Sequence, residues 1–326
     1  MTDKATSVHN ASILSSPTIS RPYWSAITPR WICRFMFETA CVPVTGGRFR
    51  LNTVVEDNLA LRIAMGDHAR RNLPKKNLSV THGHSEDTVL NASHVEFDTE
   101  PRSVQLETIQ AVLKMRQRVS ALYSDRVHQL REQIRLTAEY IYETKENLIF
   151  NHPEYGLLNN VAPALDIDAK GAPTPDLLDD MLSRVWRMPD FFVMHPETLE
   201  VFRREANKQG LMLNTTQHFG ASFTTWRGLP ILPSNKLHLV DGDGDQIQQR
   251  VAGKSSTDVL LMRIGEPKQG VISLFAAGTE GTSQYPFISV DTMGIDGDAT
   301  ASYLMTTYAA MAVLTPGALA RARVVI

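Results

Sequence analysis

Hydrophobic side chains at Ile109, Val112, Leu113, Val119, Leu122, Tyr123, Val127, Leu130, Ile134, Ala138, Ile141 and Leu148 recur three and four residues apart, the period of one helical face. Neither Pro nor Gly interrupts residues 103–150, so the pattern predicts one continuous helix about 70 Å long at 1.5 Å per residue. A compact chain of this length is roughly 50 Å across, and such a helix therefore predicts either an elongated subunit, the reading favoured by the pattern, or a break at Ser124. Before it the pattern fails. Residues 1–25 are rich in Ser, Thr and Asn with no sustained period and read as a flexible or extended arm. Residues 27–44 (ITPRWICRFMFETACVPV) are apolar and aromatic and must dock against something. Residues 46–100 start like a strand and then turn polar, without helical or alternating order. A run of that kind inside a compact domain points to an arm or lid serving a partner surface.

Beyond residue 150 the pattern is mixed. Thr174 and Pro175 supply an N-cap and a first-turn proline to an apolar face of Leu177, Leu178, Met181, Leu182, Val185 and Trp186, predicting a helix. A strand at 191–194 leads directly into a second helix, begun by Pro196 and stopped by Gly210. Strands are predicted at 228–232, 259–264, 270–275 and 287–292, followed by a buried helix at 299–314, a stop at Pro316 and a terminal strand ending in ARVVI.

Charge and composition remove several function classes. The 33 Lys and Arg nearly balance the 35 Asp and Glu, for a formal charge of -2, so no global basic field exists to hold nucleic acid. Residues 1–150 hold 19 basic and 16 acidic side chains, and residues 151–326 hold 14 and 19, a modest asymmetry of the kind that favours self-association. Two cysteines, Cys33 and Cys41, without a CxxC, indicate neither a disulfide scaffold nor structural zinc, and a reducing cytosol fits best. The N-terminus lacks the apolar core of a secretory signal. The uncharged stretch 299–314 carries three Thr, a Ser and two Tyr and falls short of the roughly 20 apolar residues that span a bilayer.

Catalytic motifs are largely missing. Around Ser222 the text Gly220-Ala-Ser222-Phe-Thr lacks the second glycine of a nucleophile elbow. Gly242 and Gly244 are followed by Ile247 where a dinucleotide fingerprint needs its third glycine. Asp241, Asp243 and Asp245 match the first positions of a calcium loop, but Gln246 and Ala252 replace the Gly and the bidentate Glu it requires; a polar hairpin is the expected structure. His82, His84 and His94 lack a carboxylate or thiol at ligand spacing and read as a solvated loop. Arg70, Arg71, Lys75 and Lys76 form a basic cluster without interleaved aromatics, and Trp226-Arg227 reads as packing at a turn. No catalytic, cofactor-binding or metal residue is assigned, and the sequence reads as scaffold.

The segments ITPRW (27–31), YGLLNNVAP (155–163), GAPTPDLLDDMLSRVW (171–186), FFVMHPETLEVF (191–202), SFTTWRGLPILPSNK (222–236), GEPKQGVISLF (265–275) and MGIDGDATASYLMTTYAAMAVLT (293–315) together resemble the family 2A encapsulin shell proteins, whose older label is major membrane protein I. The resemblance implies an α+β Hong Kong 97-type phage capsid fold. Its parts would be an N-terminal arm and docking segment (1–45), an E-loop (46–100), a P-domain spine helix (101–150), a mixed α/β A-domain (151–315) and a C-terminal strand returning to the P-domain (316–326).

It further implies a non-enzymatic protein that self-assembles, in roughly sixty copies or a multiple, into an icosahedral nanocompartment in the bacterial cytoplasm. The implied partners are further copies of the chain and a cysteine desulfurase cargo of sulfur metabolism or storage. Pyridoxal phosphate would belong to the cargo alone, and neither nucleic acid nor membrane insertion is implied. Two other readings stand beside it: a prophage major capsid protein of the same fold, and an α/β enzyme using the His-bearing loop as a lid.

Overall fold

The computed structural model describes residues 31–51, 102–116, 129–185, 188–241, 244, 246–247, 255–276, 288–298 and 300–326. The arm expected at 1–25, most of the loop at 46–100, and the clusters at His82, His84, His94, Arg70, Arg71, Lys75 and Lys76 lie outside them. In chain order the elements are α1 (Trp31–Thr39), β1 (Cys41–Val44), β2 (Arg48–Arg50), β3 (Ser103–Gln105), β4 (Glu107–Arg116), α2 (Gln129–Asn151), β5 (Asp166–Asp168), α3 (Pro175–Arg184), β6 (Phe191–Met194) and α4 (Pro196–Lys208). Then come β7 (Asn214–His218), β8 (Ala221–Trp226), β9 (Leu229–Pro233), β10 (Leu239–Val240), β11 (Gln246–Ile247), β12 (Ser256–Met262), β13 (Val271–Ala276), β14 (Ser289–Ile295), β15 (Thr300–Val313) and β16 (Leu319–Val325).

The helix expected over 103–150 is not continuous. Residues 103–116 form β3 and β4, and the described helix is α2, 23 residues or about 34 Å long. In β4 the buried residues are Ile109, Leu113 and Met115, and exposed residues alternate with them. That spacing of two is a strand face. Val112, the residue that completes a three-and-four rhythm, is 52% exposed on the opposite side. Ile109 and Leu113 are four apart, a separation common to both periods, so an apolar residue at 112 was enough to mimic a helix.

The helix expected at 299–314 is also a strand. β15 runs 14 residues, about 46 Å. Along one edge it pairs with β4 from Thr300↔Arg116 to Ala309↔Glu107. Its other pairings are with β14, over residues 301–306, and with β13, over residues 310–313. Met305, Thr306 and Thr307 are all buried, so both faces are covered and the alternation that marks a half-exposed strand disappears.

Elements with end signals match the sequence reading. The Thr174 hydroxyl accepts the Leu177 N–H at 3.3 Å, with Pro175 opening α3. His195 Nδ1 accepts the Glu197 N–H at 3.2 Å to cap α4, and Gly210 follows that helix at φ +72°. Trp186, placed on the α3 face by pattern, lies outside the described residues.

Two main sheets result, and α1 packs between them. The larger has the order β11-β10-β12-β6-β9-β8-β7, with β16 on β12 and β5 on β16. Its centre is buried on both faces. Phe191, Val193, Leu260 and Met262 join a core containing Ile32, Met36, Ile141 and Phe150. Phe192, Met194, Val259 and Leu261 face Leu178, Met181, Leu199 and Phe202 of α3 and α4. Of the segment at 27–44, the described residues 31–44 do dock: Phe35 of α1 meets Phe191, Phe219 and Phe223 at centroid distances of 5.3, 5.0 and 6.2 Å. The smaller sheet contains β1, β13, β15, β14 and β4. The terminal strand forms as predicted, but among the described residues β16 pairs with β12 and β5 in the larger sheet and with none of those in 101–150. Its apolar positions Ala320, Ala322 and Val324 complete the core over α3.

Candidate functional site

The polar side chains with the most developed contacts lie at seams between elements. At the C-terminal end of α2, His152 Nε2 lies 3.0 Å from Glu107 Oε2, and the Tyr155 hydroxyl donates to the same oxygen at 2.6 Å. The His152 and Tyr155 rings stack at 3.7 Å. His152 Nδ1 accepts the N–H groups of Glu154 and Tyr155, which places the ring proton on Nε2, toward Glu107. Burial and the adjacent carboxylate push the Tyr155 phenol well above its ordinary value. Arg102 donates to the Glu154 carbonyl at 2.9 Å, so the same corner holds the root of the β2–β3 ribbon.

A second seam joins α2 to the segment after β9. Ser234 Oγ donates to Glu146 Oε1 at 2.7 Å, Lys236 Nζ lies 2.9 Å from Glu143 Oε1, and Asn151 Nδ2 donates to the Lys236 carbonyl at 3.0 Å. Lys145, on the same helix, is 1% exposed. Burial lowers its ammonium to about 8, opposed by the Cys33 and Cys41 thiols nearby. The Cys41 thiol is itself raised, chiefly by burial.

At a third seam, Asp179 of α3 accepts from Trp226 Nε1 at 2.8 Å and from Arg227 Nη2 at 2.7 Å. The Arg227 guanidinium sits 5.0 Å from the Trp226 ring centroid. These bonds, with Arg227 first, hold the Asp179 carboxyl below its ordinary value. The Trp-Arg pair thus packs at the β8–β9 turn as the sequence suggested, and its cation-π geometry is used inside the subunit. Sequence spacing gave no hint of Asp179, 47 residues away.

The other motifs fall where chemistry does not follow. Ser222 is exposed on β8, which turns into β9 and not into a helix. Asp241 and Gly244 belong to the β10–β11 hairpin, where Gly244 N–H donates to the Asp241 carbonyl at 3.1 Å; Gly242, Asp243 and Asp245 lie outside the described residues. Among the described residues no three His, Cys, Asp or Glu converge as metal ligands, and no helix is long and apolar enough to cross a membrane. A groove of about 330 Å³ is lined by Leu51, Arg102, Tyr155, Asn160, Val161 and Leu314, among others. The seams brace the subunit, and where one of them sets an aliphatic hydroxyl on a carboxylate, at Ser234–Glu146, both residues are buried.

A profile of SrpI-like type 2A encapsulin shell proteins matches residues 64–325. The type 2A encapsulin shell protein SrpI of Synechococcus elongatus is 38% identical over 308 residues, 94% of this chain and 89% of its own. The chain belongs to the type 2A encapsulin shell family.

The cryo-EM structure of the holo-SrpI encapsulin complex from Synechococcus elongatus PCC 7942 superposes with a TM-score of 0.70 at 36% identity, covering 96% of this chain and 93% of that one. The capsid of a native GTA particle aligns with a TM-score of 0.55 at 12% identity, covering 90% of each chain, a likeness of fold alone. The fold is the α+β Hong Kong 97-type capsid fold expected from the sequence. As a type 2A encapsulin subunit the chain is a shell protein and not an enzyme, and its further copies are the partners from which a capsid-like compartment is built.

Proposed function

We propose that the compartment built by this encapsulin subunit lies in the cytoplasm and encloses a cysteine desulfurase, whose N-terminal region docks on the inner surface. In this reading the shell serves sulfur metabolism or storage, and pyridoxal phosphate belongs to the enclosed enzyme. The observation that carries it is the likeness to a relative solved as a holo complex, over nearly the whole of both chains. The strings that this chain shares with the family, from YGLLNNVAP to GIDGDATASYLM, support the same reading.

The test is purification of assembled particles from the native host, with mass spectrometry of their contents and an absorbance scan for pyridoxal phosphate. A desulfurase present in particles, and lost when its N-terminal region is deleted, supports the cargo reading. Particles carrying nucleic acid or an unrelated protein overturn it. A monomer or dimer by light scattering at micromolar protein would overturn assembly itself.

A further inference from the structure

We propose that the blade formed by β4, β15 and β14 is a head-to-tail contact between copies, in which the acidic β14 edge of one subunit meets the basic β4 edge of the next. This rests on the shell reading and names one of its contact surfaces. β15 is the central strand, and the described outer strands are β4 on one side and β14 on the other. With strands about 4.8 Å apart, the two edges are separated by only about 10 Å.

The edges differ in charge. Residues 288–298 (ISVDTMGIDGD) contain Asp291, Asp296 and Asp298 and no Lys or Arg, and every residue from 291 to 298 is exposed. The distal end of β4 carries exposed Lys114 and Arg116, opposite Ser302 and Thr300 of β15. Among the described residues none of Lys114, Arg116, Asp291 and Asp298 has an ion-pair partner, although the subunit pairs charges at its other seams. Asp291 lies opposite Leu304, which in turn lies opposite Val112, so Asp291 shares a sheet face with Val112, Lys114 and Arg116.

The acidic edge is also apolar. Met293 is 59% exposed and Ile295 is 74% exposed, and a register shift between Thr292 and Gly294 ends regular pairing there. Bulges of that kind stop a strand from templating further sheet, so the contact is made by side chains. Opposite charges set the partner and register, and burial of Met293 and Ile295 supplies the attraction. Because the two edges are different surfaces, the contact is heterologous, and repeating it around an axis closes a ring.

The test reverses one edge at a time in the full-length chain. Asp291→Lys with Asp298→Lys, or Lys114→Glu with Arg116→Glu, is expected to abolish particles in negative-stain microscopy while leaving a folded subunit by circular dichroism. All four changes together are expected to restore particles. Assembly of either single-edge variant like the unsubstituted protein, or failure of the combined variant to recover, overturns the proposal.

Should the reversals unfold the subunit, cysteine pairs decide the matter. Asp291→Cys with Lys114→Cys, which share a sheet face, is expected to give a ladder of disulfide-linked oligomers in oxidised particles. No ladder, or a dimer from Asp291→Cys alone, overturns the head-to-tail geometry. Failure of the unsubstituted protein to form particles at all would instead count against the shell reading.

Discussion

The Tyr155 hydroxyl donates to Glu107 Oε2 at 2.6 Å, joining residues 48 apart in sequence. Glu107 opens β4 and Tyr155 follows α2, so this bond and the His152 contact to the same oxygen fix the end of the helix to the start of a long strand.

Tyr155→Phe removes a bond to a charged acceptor. We expect a loss of about 1–2 kcal/mol, at the lower end of such bonds because Glu107 is partly exposed, measured by urea unfolding of the disassembled subunit at neutral pH. The folded phenol keeps its proton where the unfolded phenol ionises. Stability should therefore fall as pH rises above about 10, and the Phe variant should lack that fall.

Lys145 predicts the opposite slope. Its ammonium, lowered from 10.5 to about 8 by burial, loses its proton in the folded state first. The unfolded chain then binds more protons between those values, and stability rises with pH across that window. Lys145→Met should flatten the rise. Denaturant titrations at pH 7.5 to 10.5 of both proteins, on the order of six points each, would show whether the slope survives the substitution.

Asp258 is the reverse of the usual surface carboxylate. Burial raises its pKa although Arg321 and Arg323 lower it, with nitrogen-oxygen distances of 4.0 and 3.9 Å. A raised carboxyl is destabilising when ionised, and stability is regained as pH falls through the folded value. Asp258→Asn should accordingly leave stability at pH 7 unchanged or raise it by less than about 1 kcal/mol. A clear drop in midpoint temperature would show that the two arginines outweigh burial.

Gly156 has no room for a side chain. A Cβ there would lie 2.3 Å from the His152 carbonyl oxygen and 2.5 Å from its backbone nitrogen, atoms that cannot move without breaking the end of α2. Gly156→Ala should cost about 2–4 kcal/mol and drive the subunit into the insoluble fraction. A soluble variant with the unfolding midpoint of the parent would contradict that packing.

Segments whose ends carry chemical signals were readable from sequence. Thr174-Pro175, His195-Pro196 and Gly210 bracket α3 and α4 as the residues imply, and Phe191–Met194 is a strand because four consecutive apolar residues end at a cap. β4 and β15 were not readable. Ile109 and Leu113 satisfy both periods, and only the sheet decides that Val112 faces outward. β15 has no polar face to betray its spacing of two, since β4 lies along its edge and both of its faces are covered. The seams were hidden for another reason: Glu107–Tyr155, Asp179–Trp226 and Glu146–Ser234 are pairs far apart in sequence, and local spacing carries no information about them. The family strings contain Tyr155, Asp179, Trp226 and Ser234, so resemblance marked positions whose partners only the fold reveals.

β15 also sets how the subunit bears load. A tension along its 46 Å or so is resisted by the ladder to β4 from residue 300 to 309 and by the β14 and β13 ladders, and all of these lie parallel to the pull. Hydrogen bonds so arranged must yield together in shear, whereas bonds across the short β10–β11 hairpin can be peeled one at a time. The smaller sheet is therefore the stiff member of the wall, and a shell strained from within should yield first at its hairpins and at the contacts between copies, leaving this strand intact.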